Sequence, residues 1–303
     1  MEFAVSLWNL DPSPEAVASL QADGVTAAEF GPPFLLQEDE AAFLATVRRY
    51  HAAGIRFYAC HAPFDAPAEL SQLDEQGRQK AVAVHLQSLS RAALAGASCL
   101  VIHPGRGGFP ASEIPRRSDQ LYASLETLVP TAERAGVKLA LENMLPAHVG
   151  TLSADVRAFV DHFDSPYLGI CFDTGHAHVA DEHGYAEGAT AALSGLSDRI
   201  IAFHLADNHG HSDQHSQPPY GSIDWDTLAP AIRALEVAFP ATVETRPWNR
   251  AAPGTLLREI HALFDGQWTT YNLGGQATHA RCRRCQHFLF GPPEAPWCAC
   301  DHG

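Results

Sequence analysis

Short apolar runs alternate with longer amphipathic stretches along most of the chain. Phe3–Trp8, Thr26–Phe30, Ile55–His61, Ser98–His103, Val137–Glu142, Tyr167–Asp173, Ile200–Ala206 and Ala241–Thr245 are brief and dominated by apolar side chains, a pattern that predicts strands buried on both faces. Between them, Ser13–Ala22, Glu38–Ala53, Asp74–Ala95, Asp119–Ala135, Ser153–Phe163, Glu187–Leu196, Asp224–Phe239 and Thr255–Phe264 carry helical periodicity. Punctuating residues agree with these bounds. Pro14 stands near the start of the first helix, Gly54, Gly96 and Gly136 follow helix ends, and Ser153 is the expected N-cap of its helix. The run ending at Asp173 is expected to pass into a glycine turn at Gly175.

Eight strand–helix units in roughly 265 residues match the size and order of a (β/α)8 TIM barrel, an α/β fold. An open doubly wound sheet is the competing arrangement. It would usually place a G-x-G-x-x-G turn after the first strand, where this chain has Asn9-Leu10-Asp11-Pro12. After Phe264 the period is lost. The expected organisation is a barrel over 1–266, a polar, Gly-rich linker over 267–280 and a small module over 281–303.

Composition sharpens this reading. Hydrophobic residues make up 46% and charged residues 18%, the balance of a packed globular chain. No apolar run reaches about 18 residues, so no membrane span is expected. The N-terminus lacks a basic region and reads as a first strand, which makes a cytoplasmic location the default expectation. The formal net charge of −15 argues against a phosphate-backbone partner. The basic cluster Arg281, Arg283 and Arg284 leaves nucleic acid as the weaker expectation, and a homo-oligomer is compatible with the composition.

In such a barrel the C-terminal strand ends carry the active site. Those ends hold Glu29, His61, His103, Glu142, Asp173 with His176, His204 and Glu244, and the polar loop after the seventh strand adds Asp213 and His215. So many carboxylates and imidazoles on one rim need cations to neutralise them, and metal binding is the strong inference. A second metal signal lies near the C-terminus. Cys282-x-x-Cys285, twelve residues, then Cys298-x-Cys300 has the spacing of a closed structural zinc site, and the metal would supply the folding energy of so small a segment.

The segments Cys60-His61-Ala62-Pro63-Phe64, Ile102-His103-Pro104-Gly105, Leu141-Glu142-Asn143, Phe172-Asp173-Thr174-Gly175-His176, Phe203-His204-Leu205-Ala206-Asp207-Asn208, Val243-Glu244-Thr245 and the stretch 213–225 resemble the xylose-isomerase-like TIM-barrel superfamily. That superfamily includes sugar (phosphate) isomerases, ketose 3-epimerases, dehydratases and the endonuclease IV branch. In the isomerase branch the resemblance implies one divalent ion (zinc, manganese, magnesium or cobalt) on Glu142, Asp173, His204 and Glu244. The two glutamates would then be the acid/base pair acting on a sugar or hydroxy-ketone. In the endonuclease IV branch it implies up to three zinc ions. His61, His103 and Glu142 would hold the first, the four residues just named the second, and His176, Asp213 and His215 the third. The acidic chain and the 207–225 loop favour the small substrate; a trinuclear phosphodiesterase acting at abasic DNA is the alternative. Trp8, Glu29 and Arg246 are candidate substrate contacts, with Arg246 suited to a phosphate or carboxylate.

Overall fold

A computed structural model describes residues 1–182, 184, 188–246 and 252–266. The expected linker and the module with Cys282, Cys285, Cys298 and Cys300 lie outside the described residues. Eight parallel strands, β1 (Phe3–Leu7), β2 (Ala27–Phe30), β3 (Arg56–His61), β4 (Cys99–Ile102), β5 (Lys138–Glu142), β6 (Leu168–Asp173), β7 (Ile200–Leu205) and β8 (Ala241–Val243), close on themselves in sequence order. The helices that return the chain are α1 (Pro14–Ala22), the short α2 (Pro32–Leu35), α3 (Glu40–Ala52), α4 (Glu75–Leu94), α5 (Ile114–Ala135), α6 (Ser153–Phe163), α7 (Thr174–Glu182), α8 (Ala189–Leu196), α9 (Trp225–Arg233) and α10 (Pro253–Phe264). None of the described helices is long and apolar enough to cross a membrane.

Strand alternation sorts the apolar residues into two layers. Leu100, Ile102, Leu139, Leu141, Ile170 and Phe172 join a large cluster with helix residues such as Leu121, Leu125 and Phe159. Their strand neighbours Ala59, Cys99, Val101, Ala140, Cys171 and Ala202 form a separate small cluster inside the barrel. These inward residues are small, so the barrel axis is filled without bulky plugs. Two residues further along five of those strands, on the same inward face, stand His61, His103, Glu142, Asp173 and His204. The two-residue period thus seats each ligand-type side chain directly above the apolar floor.

The strands match the sequence expectation to within a residue or two. Several other features differ, including the short α2 where no helix was expected and α5, which begins at Ile114 rather than Asp119. Thr174–Glu182 is a helix where a glycine turn was expected. Asp173 caps it, its Oδ1 accepting the His176 backbone N–H at 2.6 Å. Gly175 is closely packed: an added Cβ would stand 3.1 Å from Asn208 Nδ2 and 3.3 Å from Asp173 Oδ1, so those side chains would have to give way. The helix expected over 224–239 stops at Arg233, and Glu236 then adopts a left-handed φ of +49° that helical backbone excludes. Ser153 is the first helical residue of α6; Leu152 occupies the cap position without a side-chain bond.

Candidate metal centre

His204 is the hub of the site. It is fully buried, and its Nδ1 lies 3.0 Å from Glu142 Oε1, 3.1 Å from Glu244 Oε2 and 3.9 Å from Asp173 Oδ2. Ladder registers explain the convergence: Asp173 pairs with His204 across β6 and β7, and His204 pairs with Thr242 across β7 and β8. Glu142, Asp173, His204 and Glu244 each offer a donor atom within 4.8 Å of all the others, and so do His61, His103 and Glu142.

The donor chemistry fits a divalent cation. Glu142 Oε2 and Asp173 Oδ2 are buried without a hydrogen bond, although His103 Nε2 is 3.0 Å and His61 Nε2 3.5 Å from the glutamate oxygen. Buried carboxylate oxygens left so are costly unless something cationic engages them. Protonation strains to compensate. Burial works against charging His204, yet Cys171 and the carboxylates of Glu244, Glu29 and Glu142 raise it well above the usual imidazole range. Burial alone would raise Glu142, but His204 and His103 hold it well below the carboxylate norm. Burial lifts Asp173 to about 7 and lowers His103 to about 4. The carboxylates favour imidazolium at these rings; a metal ion would serve them instead and free the rings to donate lone pairs.

Second contacts fix which ring nitrogen faces the site. The Nδ1–H groups of His61, His176 and His215 donate to the carbonyls of Ala62 (2.8 Å), Asn143 (2.9 Å) and Glu244 (3.2 Å). A carbonyl can only accept, so Nδ1 carries the proton and Nε2 is the nitrogen turned to the site carboxylates in each. His176 Nε2 and His215 Nε2 both approach Asp213 Oδ2, at 3.7 and 2.6 Å. These three residues therefore converge, with Asp213 between the imidazoles. Against the pull of burial, Glu244 and Asp213 raise His215 to about 9.

Asp213 and His215 sit on the loop after β7, and Asp207 anchors it. Asp207 is fully buried and accepts from the N–H groups of Asn208 (2.8 Å), Ile223 (3.2 Å) and Gly221 (2.9 Å) and from the Trp225 indole (2.8 Å). An antiparallel bridge joins Asp207 to Ser216, and His215 turns the backbone at a left-handed φ of +47°. Sequence reasoning quoted Asp207 within a motif but missed this role; its signal is the Asp–Trp pair eighteen positions apart, which a linear reading does not connect. Asp207→Ala strands four donors and is expected to destabilise the fold by about 3 kcal/mol or more, measured by urea unfolding; a loss under about 1 kcal/mol would refute the anchoring role.

Above the donors lies a cavity of about 380 Å³ lined by His61, His103, Glu142, His176, Asp213, His215 and Glu244, with Trp8, Phe64, Arg106 and Arg246 among its other lining residues. Phe64 stacks on His103 at 4.4 Å and stands 5.7 Å from Trp8, giving one aromatic side to the mouth. Trp8 and Arg246 line the cavity. Glu29 does not. It is buried, lies beneath His204 and binds the far side of that ring, so the expected substrate contact is corrected. Sequence reasoning also passed over Asn143, whose side chain brackets Asp173, accepting its N–H at 2.7 Å and donating to its carbonyl at 3.0 Å.

A closed eight-stranded barrel with a mixed carboxylate and imidazole centre at its C-terminal mouth defines the class. The chain belongs to the xylose isomerase-like TIM barrel family, whose profile matches residues 14–263. It is 26% identical over 199 residues to the uncharacterized protein y4fM of Sinorhizobium fredii, covering 64% of this chain and 62% of that protein. It thus spans a little under two thirds of that relative's length. It is 31% identical over 216 residues to a probable endonuclease 4 of Methanoculleus marisnigri, covering 64% of this chain and 74% of that protein. Among solved structures, a Thermus thermophilus protein, TTHB071, soaked with ZnCl2, aligns with TM-score 0.68 and 26% identity over 89% of this chain and 100% of that one. A D-tagatose 3-epimerase-like protein aligns with TM-score 0.72 and 22% identity over 88% of this chain and 98% of that one, a likeness of fold.

Proposed function

We propose that this chain is a metal-dependent isomerase or epimerase that moves a proton next to the carbonyl of a small sugar or hydroxy-ketone. The observation that carries this reading is the pair of carboxylates, Glu142 and Glu244, meeting on His204 at the floor of the cavity. A divalent ion bound by Glu142, Asp173, His204 and Glu244 would polarise the substrate oxygens and stabilise the negative charge that develops on deprotonation. One glutamate removes the proton and the other returns one. The aromatic side formed by Trp8 and Phe64 packs against the apolar face of the substrate, and Arg246 at the mouth suits an anionic or hydroxyl-bearing end. The cavity volume falls in the range of small-molecule sites, and the net charge of −15 opposes a nucleic-acid backbone.

Incubation with a panel of ketoses in deuterated water is expected to place deuterium at the carbon next to the carbonyl. No exchange across a broad panel in zinc, manganese, magnesium or cobalt would overturn this reading.

One observation favours a second reading. Asp213 approaches both His176 and His215, the three residues a trinuclear phosphodiesterase would use for a third ion, although they are not drawn together as closely as the donors around Glu142 and His204. The similarity to probable endonuclease 4 sequences points the same way. A nicking assay on an abasic duplex separates the two: cleavage would favour this reading, and its absence in zinc and manganese would exclude it.

A further inference from the structure

We infer that Glu29 is a positioning residue that fixes His204 as an Nδ1 donor and strengthens its hold on a divalent cation. The inference rests on the metal reading above and concerns a residue that touches neither cavity nor substrate.

Four imidazoles of the site have their far nitrogen accounted for. In His61, His176 and His215 that nitrogen is Nδ1, and its hydrogen-bond partner is a neutral backbone carbonyl, with Glu142 at 3.5 Å from the His176 nitrogen and Glu244 at 3.7 Å from the His215 nitrogen as more distant neighbours. His204 is reversed. Its Nδ1 faces Glu142 and Glu244, and its Nε2 lies 3.2 Å from both carboxylate oxygens of Glu29. Glu29 is 1% exposed and is itself held by the Thr242 hydroxyl, which donates to Oε2 at 3.1 Å. Strand geometry imposes this arrangement: Glu29 on β2, His204 on β7 and Thr242 on β8 all face the barrel interior at nearly the same height.

Two consequences follow from elementary chemistry. A carboxylate can only accept, so Nε2 carries the proton, and once a cation stands between Nδ1 and the carboxylates of Glu142 and Glu244, Nδ1 is the nitrogen left to present its lone pair to it. A full negative charge behind the ring also makes that lone pair more basic than a carbonyl does, which strengthens a bond to a cation. His204 is therefore the strongest imidazole donor of the site, and Glu29 is the reason.

The test uses the full chain stripped of metal and titrated with Co2+ against a competing chelator, with the cobalt visible absorption band as a second readout. Wild type, Glu29→Gln, Glu29→Ala and Thr242→Val are compared. Glu29→Ala is expected to weaken cobalt binding by about 10- to 100-fold and to shift the band. Glu29→Gln keeps an acceptor of the same shape without the charge and should fall between Glu29→Ala and wild type; Thr242→Val should weaken binding by less than Glu29→Gln. If Glu29→Ala does not fold, Glu29→Gln decides alone. Affinity within twofold of wild type in the folded Glu29 variants, with an unshifted band, would overturn the inference while leaving the metal reading intact. A wild-type protein that binds no cobalt would overturn both.

Discussion

Glu142→Gln is expected to lower substrate deuterium exchange by about 10³-fold or more while leaving the barrel folded. The substitution keeps shape and removes charge. Glu142 is 1% exposed and is approached by His61, His103, His176 and His204. As a carboxylate it belongs both to the four-donor group and to the group with His61 and His103. The neutral amide cannot accept a proton from carbon, and it is a much weaker donor to a cation. Glu244→Gln should approach the same loss in rate but spare the His61 and His103 group, to which Glu244 does not contribute. Elemental analysis beside the exchange rate separates the two effects. Exchange within tenfold of wild type in Glu142→Gln would refute the assigned role, provided a thermal melt shows the variant folded.

Removing metal with a chelator is expected to abolish activity and to make stability fall as pH rises from about 6.5 to about 9. The sign follows from the shifted groups. His204 and His176 are held well above the ordinary imidazole value and His215 at about 9, so without metal each stabilises the fold while protonated. That contribution is complete below the unfolded value of 6.5 and is lost as pH rises through the folded values. Asp173, lifted from 3.8 to about 7 by burial, acts in the same direction, but its contribution is lost mostly below this window. The metal-loaded protein should show the opposite trend, because its ligands must be deprotonated. Metal should therefore raise the melting temperature more at pH 9 than at pH 6. Melts of both forms across this window check it; parallel pH curves would refute the view that imidazolium substitutes for a cation.

The fold was legible because burial on both faces makes each parallel strand a short apolar run, and glycines marked the helix stops. The rim residues were legible for a related reason. A carboxylate or imidazole ending such a run is conspicuous, and His61, Glu142, Asp173, His204 and Glu244 all stand there. What escaped depended on contacts between distant segments. Gly175 looked like a turn because nothing local reveals that Asn208 presses against it. Glu29 looked like a rim contact because its strand ends one residue later, at Phe30; only barrel closure shows that His204 lies above it. Asp207 could not be weighed without the fold that brings Gly221, Ile223 and Trp225 onto its oxygens.

Of the nine ligand-type residues at the mouth, His61, Glu142, Asp173 and His204 belong to strands, while Asp213 and His215 belong to one loop. The first group cannot be moved without altering barrel registers. The second hangs on the Asp207 anchor, outside the barrel strands. On the proposed reading, the number of ions such a barrel holds would depend on this one loop while the central four donors stay in place. Grafting that loop between relatives would then test whether the outer donors decide between proton transfer and phosphate chemistry.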